Sequence, residues 1–236
     1  SQWGPIERVP FSSLQRKTAA NLLAGWSNAP HVTQFDEADI TQLEAIRKRF
    51  RDTPRGKEVK LTITAFVLKA LTTVLKQYPQ FNASLDARTN ELILKRYYHV
   101  GGAVETEAGL IVPALRDVDL KDVLTIAAEM NELAERTRLR KVALDELRGG
   151  TFTVTNLGGI GGTAFAPIIN YPEVAILGLA RSREQPRWID GQWQPRLILP
   201  LCLSYDHRVI NGADGARFIR RLTELLEEPG MMLLET

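Results

Sequence analysis

The sequence predicts a single α/β domain, and three observations support this class. Apolar residues recur at helical spacing in some segments and alternate or run continuously in others, so helices and strands follow one another. The 236 residues contain no internal repeat and no convincing linker. The composition, 44% hydrophobic and 25% charged, is that of an ordinary globular protein. We therefore expect one domain over residues 1–236, with residues 1–8 as an extended N-terminal segment.

The first elements are predicted to be a helix and a strand. Ser12 or Ser13 could begin the helix, and Ala29-Pro30 should end it. Residues 31–36 alternate and include β-branched side chains, which predicts a strand. The helical pattern consists of residues that recur at spacings of four: Leu14, Thr18, Leu22 and Trp26.

Two further helices are predicted before residue 80. The first has Asp39 or Thr41 as its cap, and residues 52–56 form the loop after it. The second begins at Thr62, ends at Tyr78-Pro79 and is apolar on most sides, so we expect the fold to bury it.

The middle of the chain is predicted to hold strands followed by helices. The strands are residues 92–94, 98–105 and 110–115, the last two joined by a turn at residues 107–109. Asp119 can cap a helix that contains Val123 and Ala127. A short helix is expected at residues 144–147, ended by Gly149-Gly150.

The segment 149–180 has seven glycines and one charged residue, Glu173. We predict buried strands at residues 152–155 and 174–179, separated by a flexible glycine loop at 158–162. The C-terminal part is predicted to form a hairpin at residues 188–193 with an Asp-Gly turn, a buried strand at 197–205 and a helix from about Ala213 to Glu227. Residues 228–230 should end that helix.

Charge and hydropathy argue against nucleic acid and membrane as partners. Thirty Lys and Arg against 28 Asp and Glu leave a formal charge of +2, and basic residues are interleaved with acids. No stretch approaches the roughly 20 apolar residues that span a bilayer, and no signal peptide is recognisable. The cluster of Arg136, Arg138, Arg140 and Lys141 is expected to be a solvated helix face, with a phosphate-bearing ligand as the alternative.

The strongest candidate for chemistry is His207. A buried strand leads directly into Asp206-His207-Arg208, and the loop ends in a predicted Asn211-Gly212 turn. Catalytic groups tend to lie on loops at the ends of rigid strands, and histidine exchanges a proton near neutral pH. His207 and Asn211 could meet across the turn. The alternative is a hydrogen-bonded histidine that only shapes the loop.

The second candidate is Thr155, at the end of a buried strand that runs into glycines. Its hydroxyl could donate a hydrogen bond to a developing oxyanion. By residue type alone, a β-branched strand residue satisfied by the backbone is the simpler interpretation.

Other chemistries lack their motifs. The glycine loop fits neither a dinucleotide-binding nor a P-loop pattern, and no serine-hydrolase elbow is present. With one cysteine and three widely separated histidines, we expect no metal site. Cys202 is expected to be an inert buried thiol. His31 is expected to be structural, although it could line a site, and His99 is assigned no role.

Five ordered blocks of sequence resemble dihydrolipoamide acyltransferases, the core components of 2-oxo acid dehydrogenase complexes. The most specific is DHRVINGA at residues 206–213, which is similar to the family's H-x-x-x-D/N-G signature. Residues 162–167 are most similar to the acetyl-transferring members of pyruvate dehydrogenase complexes. The other blocks are residues 28–35, 109–113, 152–158 and 172–178.

The resemblance implies a fold and an assembly. The family's catalytic domain is chloramphenicol acetyltransferase-like, with a mixed sheet flanked by helices, and it forms trimers that build a larger hollow core. Its active site is a channel between subunits, entered by coenzyme A from one end and the lipoyl arm from the other. The lipoyl and subunit-binding domains of the family are absent from this chain. A separate lipoyl domain is therefore implied, with 2-oxo acid decarboxylase and dihydrolipoamide dehydrogenase as further partners.

The resemblance also implies roles for individual residues. His207 matches the general base, Asn211 an aspartate or asparagine, and Thr155 a serine that stabilises the tetrahedral intermediate. Asp206, Arg208 and Gly212 support the loop. Threonine retains the hydroxyl but has a stiffer χ1 angle, and asparagine lacks the charge of aspartate. Residues that bind coenzyme A are not identified, and no metal is implied.

Two other functions stay open. The chain could be a free-standing acetyltransferase for a small hydroxyl or amine, or a core scaffold without catalysis. The expected location is a bacterial cytoplasm, with a mitochondrial matrix as second choice.

Overall fold

The computed structural model describes residues 1–107 and 109–235. Seven α-helices are present in these residues, two of them short. Residues 1–12 precede the first helix and form no helix or strand. The helices are α1 (Ser13–Asn28), α2 (Thr41–Arg51), α3 (Pro54–Glu58), α4 (Ile63–Gln77), α5 (Val123–Arg138), α6 (Gly212–Glu227) and α7 (Pro229–Glu235).

The described strands form one large mixed sheet and two small ribbons. In the large sheet the order is β1-β11-β9-β8-β4-β7, and β10 continues the hairpin with β11. Pairing is parallel between β4, β8 and β9 and antiparallel elsewhere. The ribbons are β2-β3 and β5-β6. The strands are β1 (His31–Asp39), β2 (Ala83–Asp86), β3 (Glu91–Leu94), β4 (Val100–Gly102), β5 (Val104–Thr106), β6 (Gly109–Ile111), β7 (Ala114–Leu115), β8 (Phe152–Asn156), β9 (Ala175–Leu179), β10 (Arg183–Ile189) and β11 (Gln192–Asp206).

One face of the large sheet packs against helices and forms the main core. Because side chains alternate along a strand, Phe152 of β8 and Tyr205 of β11 lie on this face. Phe218 of α6 stacks on Phe81 with ring centroids 4.0 Å apart, and both rings pack near the two strand aromatics. A Cβ atom at Gly215 would lie 2.6 Å from the Tyr205 ring, so α6 approaches β11 as closely as a glycine permits.

The opposite face carries the small and polar residues of the same strands. Thr155 of β8 pairs with Gly178 of β9, which pairs with Cys202 of β11. The Phe165 ring covers this row, since a Cβ at Gly178 would lie 2.6 Å from it. The segment that follows β8 and the helix α1 therefore lie on this second face, where one cavity remains open.

The α/β class is confirmed, and the buried helix beginning after Thr62 is confirmed as α4. Several local predictions were wrong. Residues 52–56 do not form a simple loop, because Thr53 accepts a hydrogen bond from the Gly56 amide and begins α3. Neither Asp39 nor Thr41 is the cap of α2. That position is Ile40, while Asp39 accepts from the Thr41 amide at 3.0 Å.

Prediction failed most between residues 82 and 148. The strand β2 was missed, and residues 98–105 and 110–115 each divide between the large sheet and a ribbon. Asp122, rather than Asp119, caps α5. Residues 144–147 form successive turns instead of a helix. Within the predicted turn at residues 107–109, Ala108 lies outside the described residues.

The C-terminal elements follow the prediction more closely. The Asp190-Gly191 turn has positive φ at both positions, which suits a two-residue hairpin. The strand β11 is longer than predicted because it includes the hairpin arm. Residues 228–230 end α6 as expected, but Pro229 then begins α7.

Candidate active site

His207 lies in the turn immediately after β11, and its side chain is exposed. Its backbone amide donates a hydrogen bond to the Pro30 carbonyl at 2.9 Å, which ties this turn to the start of β1. Its ring lies 6.1 Å from the Tyr205 ring, centroid to centroid. The histidine is therefore held by its backbone, while its imidazole faces outward.

Asn211 serves the helix rather than the histidine. Its Oδ1 accepts from the Asp214 amide at 2.8 Å, and its Nδ2 donates to Asp214 Oδ2 at 2.8 Å. It is the N-cap of α6. Gly212 is the first residue of that helix, so the predicted tight Asn-Gly turn was wrong. Within the described residues, no hydrogen bond joins Asn211 to His207.

Asp206 and Arg208 brace the loop from its two sides. The Arg208 amide and guanidinium both donate to the Asp206 carboxylate, with an Nη2 to Oδ2 distance of 2.6 Å. Asp206 is buried, so its charge is compensated by these charge-assisted hydrogen bonds. This pair fixes the residues on either side of His207.

Thr155 opens into a cavity of about 370 Å³ on the second face of the sheet. Among the described residues its hydroxyl has no hydrogen-bond partner, so it is free to donate to a ligand. The walls are largely apolar, with polar groups at Thr153, Asn170 and Asn21. Other lining residues include Leu14, Leu22, Ile111, Phe165, Pro167 and Ile169.

Within one chain, His207 and Thr155 lie apart. Thr155 shares a row of the sheet with Cys202, two strands away. Asp206 follows Cys202 by four positions, so the end of β11 lies roughly 16 Å from Thr155 in the plane of the sheet. His207 does not line the Thr155 cavity. One chain therefore presents an imidazole at one place and a free hydroxyl at another.

The remaining predicted residues have structural surroundings. Both ring nitrogens of His31 are occupied, since Nδ1 lies 2.6 Å from the Ala29 carbonyl and Nε2 accepts from the Ile169 amide at 2.9 Å. His31 also lies close to the Trp26 ring. Nδ1 of His99 accepts from the Asp117 amide. Burial raises the pKa of the Cys202 thiol, which disfavours the reactive thiolate.

The predicted basic cluster and a second groove bear on the binding of charged ligands. Arg136 pairs with Glu146 at 2.6 Å and with Glu132 at 3.3 Å, so this member of the basic cluster is neutralised. A separate groove of about 600 Å³ has Lys60 and Arg138 on its wall, with Asn156 at its β8 side. Across residues 1–107 and 109–235, no group of three or more His, Cys, Asp or Glu could hold a metal ion.

In the same described ranges, no helix has both the length and the apolar character needed to cross a membrane.

Sequence reasoning noted Glu173 as an isolated charge but assigned it no role. The structure places it beneath the Thr155 cavity, where its carboxylate accepts from Thr153 Oγ1 at 2.7 Å and from Asn170 Nδ2 at 3.1 Å. Burial raises the pKa of Glu173 to about 7. A lone charge in a run of apolar and glycine residues was the available signal.

Comparison with solved structures gives close matches. The dihydrolipoamide acetyltransferase of Azotobacter vinelandii superposes with a TM-score of 0.95 at 50% identity, covering 99% of this chain and 96% of that one. It was solved to study the role of a serine, a histidine and an asparagine in catalysis. These occur in the same order and at the same spacing as Thr155, His207 and Asn211. A cubic core of a pyruvate dehydrogenase complex also gives 0.95, at 51% identity, covering 99% of this chain and 96% of that one.

Chloramphenicol acetyltransferase shares the fold more distantly, with a TM-score of 0.57 at 13% identity over 93% of this chain and 99% of that one. This similarity confirms the predicted fold type.

Sequence comparison gives the same grouping. The acetyltransferase component of the Azotobacter vinelandii pyruvate dehydrogenase complex is 50% identical over 99% of this chain, and its Pseudomonas aeruginosa counterpart is also 50% identical over 99%. The chain spans 37% and 43% of the length of these two relatives. The family model described as 2-oxoacid dehydrogenases acyltransferase (catalytic domain) matches residues 4–234. By its sequence and by its fold, this chain belongs to that acyltransferase family.

Proposed function

We propose that the chain transfers an acyl group, specifically acetyl, between a dihydrolipoyl group and coenzyme A. The observation that carries this proposal is that two polar side chains have no hydrogen-bond partner among the described residues. They are the exposed imidazole of His207 and the hydroxyl of Thr155, which lies in a cavity. Their spacing along the chain, together with that of Asn211, equals the spacing of the three residues studied in the Azotobacter vinelandii enzyme. Relatives that are 50% identical to this chain over 99% of its length are named as acetyltransferase components of pyruvate dehydrogenase complexes.

The site is proposed to form between two copies of the chain. Because His207 and Thr155 cannot meet within one chain, a neighbouring copy must supply one of them. A closed trimer would contain three such sites, because each copy contributes its histidine to the site shared with one neighbour and its hydroxyl to the site shared with the other. The similarity to a cubic core supports further assembly of such units.

The reaction then follows from the two groups. His207 accepts the proton of the coenzyme A thiol as the sulfur attacks the thioester carbonyl of the acylated dihydrolipoyl group. The carbonyl oxygen becomes an oxyanion that accepts a hydrogen bond from Thr155. The carbon–sulfur bond to the dihydrolipoyl group breaks, and the imidazolium returns its proton to the departing thiolate. The products are acyl-coenzyme A and the free dithiol.

The surroundings suit these substrates. The apolar walls of the Thr155 cavity favour an uncharged acyl or dithiol arm. The cations Lys60 and Arg138, in the groove that adjoins β8 at Asn156, favour the phosphates of coenzyme A. A partner domain that carries the lipoyl group is part of the proposal. Since these relatives are bacterial proteins, a bacterial cytoplasm is favoured over a mitochondrial matrix.

A mixing experiment tests the shared site. His207→Ala and Thr155→Ala chains, carrying different tags, are co-expressed, and assemblies that contain both tags are purified. In a site shared between copies, an intact histidine of one chain can face an intact hydroxyl of the other. One site in three therefore recovers in a mixed trimer, and roughly a quarter of the sites recover in a larger assembly at equal mixing. Activity is measured as acetyl-coenzyme A formed from acetyl-dihydrolipoamide.

Each variant assembled alone is the control and should be nearly inactive. Mixed assemblies that remain as inactive as the single variants would rule out the shared site. Transfer to small hydroxyl or amine acceptors in preference to coenzyme A would favour a free-standing acetyltransferase. Wild-type assemblies with no transfer at all would favour a scaffold.

A further inference from the structure

Glu173 is a buried carboxylate that the proposed reaction does not use. Its side chain is almost fully enclosed, at 4% exposure for the residue, and it is the one charged residue between positions 149 and 180. Burying a carboxyl group is costly unless hydrogen bonds or an opposite charge compensate it. Its position beneath the Thr155 cavity therefore requires an explanation.

The carboxylate joins the floor of that cavity to its wall. Oε2 accepts the Thr153 hydroxyl at 2.7 Å, and Oε1 accepts the Asn170 amide at 3.1 Å. Asn170 Nδ2 also lies 3.3 Å from Thr153 Oγ1, which closes a three-membered network. The charged group that faces Glu173 is Lys95, from the segment after β3. Thr153 and Asn170 contribute no charge.

The network distinguishes the two hydroxyls of β8. Thr153 and Thr155 are two positions apart, so they lie on the same face of the strand, about 7 Å from each other. Both line the cavity. The Thr153 hydroxyl donates its one proton to Glu173 and accepts from Asn170, so it has no proton left to donate to a ligand. Thr155 alone of the two can donate to a substrate oxygen.

The same network fixes the cavity wall. Asn170 Oδ1 accepts from Asn21 of α1 at 3.4 Å, and the neighbouring Ile169 amide donates to His31 of β1. The wall segment is thereby attached to β8, α1 and β1 at successive residues. Loss of the Glu173 link would free the wall on the side nearest to Thr155.

We propose that Glu173 is a positioning residue that makes Thr155 the sole hydrogen-bond donor of β8 toward the reacting carbonyl and holds the wall opposite it. This inference rests on the proposed acyl transfer. Without the carboxylate, the released Thr153 hydroxyl becomes a competing donor in the wrong place, and the substrate carbonyl is misplaced. A misplacement of this kind lowers the rate of the chemical step more than it weakens binding.

Three variants test the role. Glu173→Ala removes both hydrogen bonds, and we expect kcat to fall at least 10-fold with the KM for coenzyme A within twofold of wild type. Glu173→Gln can accept the Thr153 hydroxyl through Oε1 and, once the Asn170 amide rotates, donate through Nε2 to Asn170 Oδ1, so both links survive and kcat should stay within threefold. Adding Thr153→Val to Glu173→Ala removes the competing hydroxyl and should recover several-fold of the lost kcat. Assembly mass and cooperative unfolding are measured for each.

A Glu173→Ala enzyme that assembles and keeps kcat within twofold would overturn the positioning role, and so would equal losses in the Ala and Gln variants. Should Glu173→Ala fail to assemble, Asn170→Ala replaces it, because that change cuts the wall link alone. We expect a several-fold fall in kcat there, smaller than in Glu173→Ala because Thr153 stays bonded to Glu173, and a wild-type kcat would count against the proposal. A wild-type protein without acyl transfer would refute the proposed function itself, a result distinct from any difference among these variants.

Discussion

At the scale of single residues, the candidate site depends on which polar groups are already satisfied. Asn211 is committed to the helix cap, His31 to two backbone groups and Thr153 to Glu173. His207 and Thr155 have no such commitment among the described residues. A polar side chain is available for chemistry when no neighbouring group of the fold occupies its hydrogen-bonding atoms. Sequence patterns do not reveal which side chains are unoccupied in this way.

His207→Ala should lower kcat about 10³-fold, because general-base assistance contributes roughly 10²–10⁴-fold. Assembly should be unaffected, since the loop is held by the backbone bond to Pro30 and by the Asp206–Arg208 pair. Steady-state transfer and light scattering measure the two effects. His99→Asn is the matched control and should retain activity. Near-wild-type turnover in His207→Ala would remove the histidine from the mechanism.

Thr155→Ala should lower kcat about 10²-fold with little change in the KM for coenzyme A, because an oxyanion donor acts mainly in the transition state. Thr155→Ser keeps the hydroxyl and loses the methyl group, so it should retain most of the activity. Kinetics at saturating concentrations of both substrates separate kcat from KM. A large rise in KM with unchanged kcat would assign Thr155 to substrate binding instead.

Glu173 should also make stability depend on pH. Because burial raises its pKa to about 7, the native state holds this proton more tightly than the unfolded chain between pH 4.5 and 7. The contribution of this group to stability is therefore greatest at low pH and is lost as pH rises through 7. Relative to wild type, Glu173→Gln should gain up to about 3 kcal/mol between pH 4.5 and 8.

Urea unfolding of both proteins at pH 5 and pH 8 measures this difference. Glu146→Gln is the comparison, because hydrogen bonds from Arg136 and Ala143 lower the pKa of Glu146 to about 2. Its ionisation is complete above pH 5, so its effect on stability should be the same at both values. A Glu173→Gln difference that does not change with pH would show that the carboxyl titrates normally.

At the scale of elements, contact between α6 and β11 is limited by a single glycine. Gly215→Ala would place a Cβ 2.6 Å from the Tyr205 ring, so it should destabilise the fold by about 1–3 kcal/mol through overpacking. Gly212→Ala on the same helix has no atom within 4 Å of the added Cβ and should be neutral or slightly stabilising. Thermal unfolding compares the two, and equal effects would contradict the close packing.

Elements with strong local signals were predictable from sequence. The α4 helix is apolar almost all round, and the Asp-Gly hairpin turn needs positive φ at both positions. Residues 98–115 were not predictable, because alternation cannot reveal that one run of strand leaves the large sheet and joins a ribbon. The spacing of four predicted the helix α1, yet Leu22 and Trp26 of this helix are exposed in the single chain. Periodicity identifies one face of a helix but does not show which part of the molecule covers that face.

At the scale of the whole molecule, the distance between His207 and Thr155 means that the proposed reaction requires an assembly of several copies. The sequence identified both residues through a family resemblance. Their separation within one chain could be seen only after the sheet order placed β9 between β8 and β11. A single folded copy would therefore carry one histidine and one hydroxyl that belong to two different sites, each of which needs a neighbouring copy.

An exposed apolar patch on α1, formed by Leu22, Leu23 and Trp26, is a candidate contact between copies. Trp26 lies against His31, next to the strand start that holds the His207 turn. Trp26→Asp should lower the assembled mass and reduce transfer in proportion, with the helical circular dichroism signal unchanged. Trp188→Asp, at the distant β10–β11 hairpin, is the matched exposed-tryptophan control. Full-size, active assemblies of Trp26→Asp would exclude the patch from the interface.

The length of β11 has a practical consequence. This strand of 15 residues carries the hairpin tip at one end and the His207 turn at the other, about 50 Å apart along an extended chain. Asp190 and Gly191 at the tip are exposed, and a Cβ added at Gly191 would have no atom within 4 Å. A fluorophore attached at the tip would be far from His207 of the same chain. A short tether attached there could likewise immobilise the protein, so the tip is a suitable position for engineering.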